Sequence, residues 1–417
     1  MAGKDDIMPQ KPVVRRSARL AAWISSWWKP QPTVRQRAPF ANAAGWHPAQ
    51  ILCLEERALL AGPTVTTNTA SIGANATTLV IKGTGFSTTL SQNSVVVKDT
   101  VSNKSITVTP TVSTTTTMTV TISTMGTMTG GDQLTAVVTT SGVSSGAAVQ
   151  VATIAPIVTL STKAVTSTTL TISGVGFSTI AASNSVLLKD SVTGNTATVT
   201  PTAATATSLT VSLSTLGTLT GGDKLTAVVT TGGVSSGNAV QVGLVTPLVT
   251  PNSTITTSTT ITIDGFAFDS TIAHNKVTLN NSGRSIAGTI LTASNTSLTV
   301  SFSGPVTAGP LNATVTVNNI SSGKPVQVAS IQPLILETTT QLAPGARQVI
   351  IYGFGFDPNH AQNTVVFSSG AVGVVTSCSA NALIVTFLVK PKTAGPLTAI
   401  VTTRHVSSGA AVQVATV

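Results

Sequence analysis

The fold is decided by Leu170-Thr171-Ile172-Ser173-Gly174-Val175-Gly176-Phe177, because closely similar stretches occur four times in the chain. The other copies begin at Leu79, Ile261 and Val349, and each ends in glycine, a variable residue, a small residue and phenylalanine. The first glycines lie at positions 83, 174, 265 and 353, so successive copies are 91, 91 and 88 residues apart. A period of this length is a whole small domain and not one turn of a solenoid.

The repeat divides the chain into a leader and four similar units, which we call domains 1 to 4. The leader covers residues 1–62, and the domains cover residues 63–153, 156–244, 247–330 and 333–417. Only four residues lie between Val151 and Pro156, and only four between Val242 and Pro247. Joints this short favour a semi-rigid row of domains over loosely tethered beads.

Within each domain, short runs with a period of two predict β-strands. In domain 2 they predict seven strands, at residues 157–160, 169–173, 185–189, 197–201, 208–212, 224–230 and 239–243. The fifth should turn Leu209, Val211 and Leu213 toward a core, because alternate side chains of a strand share one face. The equivalent apolar trios of the other domains are Met118, Val120, Ile122; Leu298, Val300, Phe302; and Leu383, Val385, Phe387. Seven short strands in about ninety residues predict an all-β sandwich.

The leader is far more basic per residue than the rest of the chain. The 417 residues carry a net charge of +10, and the first 62 hold nine Lys/Arg against four Asp/Glu. The remaining 355 residues hold thirteen against eight and contain no basic cluster, so we do not expect a nucleic-acid partner. The two cysteines, Cys53 and Cys378, have no counterparts in other domains, which excludes a disulfide framework.

We expect the leader to be largely disordered or partly helical. The basic segment around Arg15-Arg16 is followed by a moderately apolar stretch from Leu20 to Trp28, which two serines interrupt. No apolar run approaches 18 residues, so we expect no transmembrane span. A basic helix lying on a membrane surface and a flexible tail both remain open for this part of the chain.

The end of the leader reads Leu54-Glu55-Glu56-Arg57-Ala58-Leu59-Leu60. This stretch resembles the LEPR-x-LL type of N-terminal motif found in exported proteins of planctomycete-type bacteria, with Glu56 in the proline position. The resemblance implies a sorting role for Leu54, Glu55, Arg57, Leu59 and Leu60. An ordinary helical segment is the alternative interpretation of the same residues.

The repeated features of the domains together resemble the IPT/TIG domain. These features are Gly-x-Gly-Phe after an alternating strand, an Asn-x-Val strand about ten residues later, and a closing Val-Gln-Val strand. The resemblance covers all four domains and departs from the motif at Ala267, which replaces the second glycine. It implies four tandem immunoglobulin-like β-sandwiches of the early-set type, a fold shared by plexins, Rel-type transcription factors and many bacterial surface proteins.

The repeated polar residues are better explained by structure than by chemistry. A phosphate loop would open a helix, whereas Gly-x-Gly-Phe lies between predicted strands. Asn93, Asn184, Asn275 and Asn363 each precede the third strand, where an asparagine side chain closes a turn.

Calcium would need several clustered carboxylates, and the repeats supply too few of them. Asp99 and Asp190 correspond to each other but are replaced by Asn281 in domain 3. The histidines are scattered, and we expect no recurring pair of carboxylates. We therefore predict no catalytic residues, no metal site, no cofactor and no enzymatic activity.

The leading hypothesis is a non-catalytic bacterial protein, exported to the cell surface or the extracellular space, that acts as a structural or adhesive stalk. Its surface partner would be a glycan or a protein. The alternative is a module that binds a carbohydrate or protein ligand, for which Phe266, Phe354 and Tyr352 are the candidate contacts. Nucleic-acid binding, by analogy with Rel-type proteins, is a third hypothesis, and it would need a basic loop cluster.

Overall fold

A computed structural model describes residues 61–343 and 345–417. The leader residues Leu54, Glu55, Arg57, Leu59 and Leu60 lie outside the described residues, so their sorting role stays a prediction. The described helices are 3₁₀ turns of three residues each: Leu90–Gln92, Ser123–Met125, Ala181–Ser183, Ile272–His274 and His360–Gln362. None of them has the length and hydropathy that crossing a membrane requires.

Domains 1 and 2 have the same ten strands in the same order. Domain 1 contains β1 (Thr64–Val65), β2 (Ser71–Gly73), β3 (Thr78–Thr84), β4 (Asn93–Asp99), β5 (Ser105–Val108), β6 (Val112–Ser113), β7 (Thr117–Thr121), β8 (Gln133–Thr140), β9 (Val143–Ser144) and β10 (Val149–Ala155). Domain 2 contains β11 (Ile157–Val158), β12 (Ala164–Val165), β13 (Thr169–Val175), β14 (Asn184–Asp190), β15 (Thr196–Val199), β16 (Ala203–Ala204), β17 (Ser208–Ser212), β18 (Lys224–Thr231), β19 (Val234–Ser235) and β20 (Val240–Val245).

Domains 3 and 4 merge or lose some of these short strands. Domain 3 contains β21 (Leu248–Val249), β22 (Ile255–Thr256), β23 (Thr260–Phe266), β24 (Asn275–Asn281), β25 (Arg284–Ala293), β26 (Ser297–Phe302), β27 (Gly309–Val317), β28 (Ile320–Ser321) and β29 (Val326–Ile331). Domain 4 contains β30 (Leu334–Ile335), β31 (Gln348–Phe354), β32 (Asn363–Phe367), β33 (Val372–Cys378), β34 (Ala382–Val389), β35 (Pro396–Thr403), β36 (Val406–Ser407) and β37 (Val412–Thr416).

Two sheets face each other in domain 2, with the orders β11-β13-β17-β16 and β12-β20-β18-β14-β15, and β19 pairs with β18. Domain 1 repeats this topology, and domain 4 has two four-stranded sheets, so only its second sheet is smaller. In domain 3 the long strand β25 pairs with both β24 and β26, which joins the two sheets into one continuous sheet. Each domain has its own buried apolar cluster between its sheet layers. For the described residues, the prediction of all-β, tandem immunoglobulin-like sandwiches is thereby confirmed.

The alternation in the sequence located the core correctly. Leu209, Val211 and Leu213 are at most 1% exposed, and the equivalent trios of the other domains are also buried. All seven strands predicted for domain 2 are present, with ends shifted by a few residues. The two-residue strands β12, β16 and β19 were not predicted, because two residues are too few to show a period of two.

A buried asparagine fixes the loop after the phenylalanine in each domain. In domain 2 the side chain of Asn184 is 2% exposed. Its Oδ1 accepts hydrogen bonds from the Ser178 N–H (3.0 Å) and the Thr231 hydroxyl (2.8 Å), and its Nδ2 donates to the carbonyl oxygens of Ser178 and Ile180. Asn93, Asn275 and Asn363 make the equivalent contacts with their own loops. The turn-closing role predicted for these residues is confirmed.

We expect Asn184→Ala to destabilise domain 2 by about 2–4 kcal/mol, because it leaves buried loop amides and carbonyls without partners. Native-state hydrogen exchange with mass spectrometry on the full chain would report domain 2 separately from the other domains. Asn238→Ala, at an exposed position of the same domain, is the matched control and should change stability by less than about 0.5 kcal/mol. Equal effects of the two substitutions would contradict the role assigned to Asn184.

Candidate functional site

The Gly-x-Gly-Phe loop is shaped by a very close approach of two strands. A Cβ atom on Gly174 would lie 2.2 Å from the carbonyl oxygen of Ile157 and 2.3 Å from the ring of Phe177. The same collision with the opening strand and the phenylalanine ring would occur at Gly83, Gly265 and Gly353. The first glycine is therefore required by space, and the phenylalanine ring lies in the core beneath it.

The second small residue of the motif forms the joint with the preceding domain. The N–H of Gly130 in domain 1 donates to the carbonyl oxygen of Gly176 in domain 2, at 2.8 Å. The same bond recurs at 2.9 Å from Gly221 to Ala267 and from Ala308 to Gly355. All three acceptor residues have positive φ: 77° for Gly176, 59° for Ala267 and 80° for Gly355. One backbone contact is thus repeated at every joint between described domains.

In domains 3 and 4, the variable residue between the glycines adds apolar contact to the joint. Phe266 of domain 3 packs against the apolar cluster of domain 2, and Phe354 of domain 4 packs against that of domain 3. Ala267 is fully buried within the cluster of domain 2. Val175, at the corresponding position of domain 2, is half-buried, whereas Thr84 of domain 1 is exposed. An apolar residue therefore occupies this position in the three domains that follow another described domain.

Two of the three predicted ligand-contact residues lie at these joints, and the third does not. Phe266 and Phe354 are half-buried as just described, and Tyr352 is 52% exposed on the outer face of domain 4. The structure does not bring the three side chains together into one site. A ligand role for them stays a prediction, and packing between domains already explains the two phenylalanines.

Open clefts flank two of the joints. The cleft between domains 1 and 2 has a volume of about 580 Å³ and is lined by Thr129, Asp132, Ser178 and Ala206 among others. A cleft of about 360 Å³ lies between domains 3 and 4, where Ala380 replaces Ala206. At the joint between domains 2 and 3, the corresponding residue is Asn295, whose Nδ2 donates to the carbonyl oxygen of Leu219 across the joint at 2.7 Å. An alanine at this position thus leaves an open cleft at the first and third joints, whereas the asparagine at the second joint spans the gap with a hydrogen bond.

Buried carboxyl groups lie in pairs next to the first two joints, so the expectation that no carboxylate pair recurs was wrong. In domain 1, burial raises the pKa of Asp132, an effect that the Thr129 N–H opposes and the neighbouring Asp99 reinforces. In domain 2, burial raises the pKa of Asp223 to about 6, with opposition from the Thr220 N–H and reinforcement from Asp190 and from Asp269 of domain 3. Each pair is nearly inaccessible to solvent, since all four carboxyl residues of the two pairs are at most 5% exposed.

Domain 3 replaces this carboxyl pair with an amide. Asn281 occupies the position of Asp99 and Asp190, and Pro310 occupies that of Asp132 and Asp223. The Oδ1 of Asn281 accepts from the Thr307 N–H at 2.8 Å, and its Nδ2 donates to the carbonyl oxygens of Thr307 and Pro310. The loop N–H that Asp223 accepts in domain 2 is therefore satisfied in domain 3 without any charge.

Other polar groups at the joints form local contacts. Asp269 pairs with His274 at 2.8 Å, and hydrogen bonds from the Thr271 N–H and His274 overcome the effect of burial and lower the pKa of Asp269. Asp357 is paired with the Arg404 guanidinium at the third joint. The Cys378 thiol donates to the Pro358 carbonyl oxygen, and burial together with the charge of Asp357 raises its pKa. A raised pKa keeps this thiol protonated and unreactive at neutral pH.

Within residues 61–343 and 345–417, no three His, Cys, Asp or Glu side chains lie close enough together to hold a metal ion. The joints present hydrogen-bonding and apolar contacts between domains. The arrangement is suited to holding neighbouring domains in a fixed relation to each other.

No protein-family model matches the chain, and no curated protein matches it. Among solved structures, a tetra-tandem repeat from the extending region of a large adhesion protein is 17% identical, with 86% of this chain and 98% of that chain covered and a TM-score of 0.22. Immunoglobulin domains 1–5 of Sidekick-1 are 10% identical, with 85% and 80% covered and a TM-score of 0.18.

The extracellular region of plexin A4 is 9% identical, with 84% of this chain and 48% of that chain covered and a TM-score of 0.18. This chain therefore spans about half the length of that plexin chain. Similarities at these identities and TM-scores carry no information about what the protein binds.

Domain 2 should lose stability as pH rises, because folding strengthens proton binding at Asp223. The stabilisation that the bound proton supplies is complete below 3.8, the ordinary pKa of this carboxyl group. It is lost as the pH rises through about 6, the pKa of Asp223 in the folded domain. Between pH 5 and pH 8 the free energy of unfolding of domain 2 should fall by about 1.4 kcal/mol. Urea unfolding at the two pH values, followed for domain 2 by pulsed hydrogen exchange, would measure it. Asp223→Asn should abolish the difference, and Asp264→Asn, on the exposed face of domain 3, should leave it unchanged.

Gly176→Ala should loosen the first joint, because the added Cβ would lie 2.3 Å from Ala74 of domain 1. We expect hydrogen exchange at the Gly130 amide to accelerate about tenfold, which corresponds to about 1.4 kcal/mol. Gly233→Ala is the matched control, since Gly233 also has a positive φ of 80° but no atom within 4 Å of its Cβ position. The second substitution Ala74→Gly should restore protection, and failure of this rescue would count against the contact.

Proposed function

We propose that the protein is a non-catalytic structural or adhesive stalk built from tandem immunoglobulin-like domains. The observation that carries the proposal is the joint, since the same backbone hydrogen bond links the small residue of the motif to the preceding domain three times. A flexible row of binding modules would have no need for a repeated contact of this kind, whereas a stalk depends on it to transmit position and force along the chain.

The apolar contacts support the same proposal. At the second and third joints, the backbone hydrogen bond is combined with packing of Phe266 or Phe354 against the apolar cluster of the preceding domain. Burial of half a large apolar side chain contributes on the order of 1 kcal/mol. Together with the very short connections, these contacts favour a fixed angle between neighbours over free rotation.

We further propose that the stalk is exported and displayed at the cell surface or outside the cell. The support comes from the basic leader and from the resemblance of Leu54–Leu60 to a sorting motif of exported bacterial proteins. The sparsely charged Thr/Ser-rich surface of domains 1 to 3 is compatible with such a location. Cell fractionation followed by intact-mass measurement of the native protein would test this part, and an intact leader on a cytosolic protein would refute it.

Small-angle X-ray scattering of the full chain should give the profile of an elongated particle with few orientations between domains. Inserting a Gly-Ser linker of about ten residues after Ala155 should increase the flexibility visible in the profile, because it detaches domain 2 from the contacts at Gly130. The same insertion in the exposed turn at Gly142 of domain 1 is the matched control, and it should leave the profile unchanged. A compact particle, or a scattering profile that the first insertion leaves unchanged, would contradict the stalk proposal.

A further inference from the structure

Domain 4 differs from the other domains on the outer face of one sheet. The central strands of that sheet are β31 and β34, and their outward residues are Gln348, Ile350, Tyr352, Ala382, Ile384 and Thr386. The corresponding outward residues of domain 2 are all Thr or Ser: Thr169, Thr171, Ser173, Ser208, Thr210 and Ser212. At the same central positions, domains 1 and 3 are also dominated by Thr and Ser, with Val80 as the one large apolar side chain and with Lys82 and Asp264 as charged ones. Val112 on the edge strand β6 also lies on this face of domain 1.

The apolar residues of domain 4 lie on three neighbouring strands, β31, β34 and β33, and at Leu336, which follows β30. Ile350 lies opposite Ile384 in the sheet, and Tyr352 lies beside Leu336, whose N–H donates to the Tyr352 carbonyl oxygen. The surface is extended by side chains on β33 and at the end of β34. Six of its members are between 43% and 66% exposed: Leu336, Ile350, Tyr352, Val372, Val374 and Leu388. We call this surface the apolar face of domain 4.

The polar groups on the apolar face bond to one another. The Nε2 of Gln348 donates to the Thr386 hydroxyl at 3.1 Å, and the Thr376 and Thr386 hydroxyls lie 3.1 Å apart. No charged residue occupies the outward rows of β31, β34 and β33 in this described domain. The face therefore offers few free donors or acceptors beyond the Tyr352 hydroxyl, which suits another dry apolar surface better than a polar ligand such as a sugar.

We propose that the apolar face of domain 4 binds the same face of a second copy of the chain. An uncharged apolar sheet surface is complementary to itself, which is what a two-fold symmetric contact requires. Two such faces would pack as sheets do inside a sandwich, about 10 Å apart. The exposed apolar area is on the order of 500 Å² per copy, given about 150–250 Å² for a large side chain.

This area places the contact among small interfaces. Two faces together bury on the order of 1,000 Å², which is at the low end for specific interfaces. The dimer is accordingly a weak one that dissociates in the micromolar range, and it joins two stalks near their fourth domains. The contact does not depend on the stiffness of the joints, so it can fail or succeed independently of the proposed function.

Sedimentation velocity of the full chain over the micromolar range tests the proposal. The parent chain should show a monomer–dimer equilibrium, and Ile350→Thr with Tyr352→Thr should raise its dissociation constant at least about tenfold. These substitutions introduce the residue type that domains 1 to 3 favour on this face, so the fold should tolerate them. Leu388→Thr, at the most exposed position of the face, is an independent variant that leaves the core untouched.

The matched control is Val80→Thr, the same change at the position of domain 1 that corresponds to Ile350, and it should leave association unchanged. A chain that stays monomeric at every concentration overturns the proposal. So does association that both variants leave intact, since the contact would then lie elsewhere. Binding of a monomeric chain to a glycan array, lost in Tyr352→Thr, would overturn it as well by assigning the face to a sugar.

Discussion

The close passage of the opening strand over the first glycine is the constraint on which each domain depends. In domain 2 the carbonyl oxygen of Ile157 and the ring of Phe177 leave no room for any side chain at Gly174. The chain then turns through a positive φ at Gly176 and presents that residue's carbonyl oxygen to domain 1. The Gly-x-Gly-Phe loop that covers the core of one domain therefore also contacts the preceding domain. Folding of a domain and formation of its joint depend on the same few residues.

Much of this architecture could be predicted from residue patterns alone. The period of about ninety residues defined the domains. Alternation identified the core trios such as Leu209, Val211 and Leu213, because burial of one face of a strand makes every second residue apolar. The turn-closing role of Asn184 was also predictable from its position before a strand. The two-residue strands escaped prediction, as did the fusion of the two sheets of domain 3 through β25, because pairing across a sheet depends on partners far away in sequence.

The joints were harder to predict for the same reason. Phe266 and Phe354 stood out as unusual residues, but only the structure shows the preceding domain's core against them. The exchange of a carboxyl pair for Asn281 was visible as a substitution, yet its meaning required the hydrogen bond to Thr307. Domains 1 and 2 thus hold this loop with groups that titrate, and domain 3 holds it with one that does not. The apolar face of domain 4 could have been found from sequence by comparing outward residues between repeats.

The exposed Thr84 of domain 1 has a consequence for how such a chain can be rearranged in evolution. Its hydroxyl is bonded to that of Thr64 at 2.7 Å, whereas the other domains place valine or phenylalanine at this position. A copy of domain 1 placed after another domain would bring this hydroxyl pair to the position where Phe266 and Phe354 pack against the apolar cluster of the preceding domain. The domains are consequently not interchangeable units despite their common fold, and duplication of an interior domain is an easier route to a longer chain than duplication of the first.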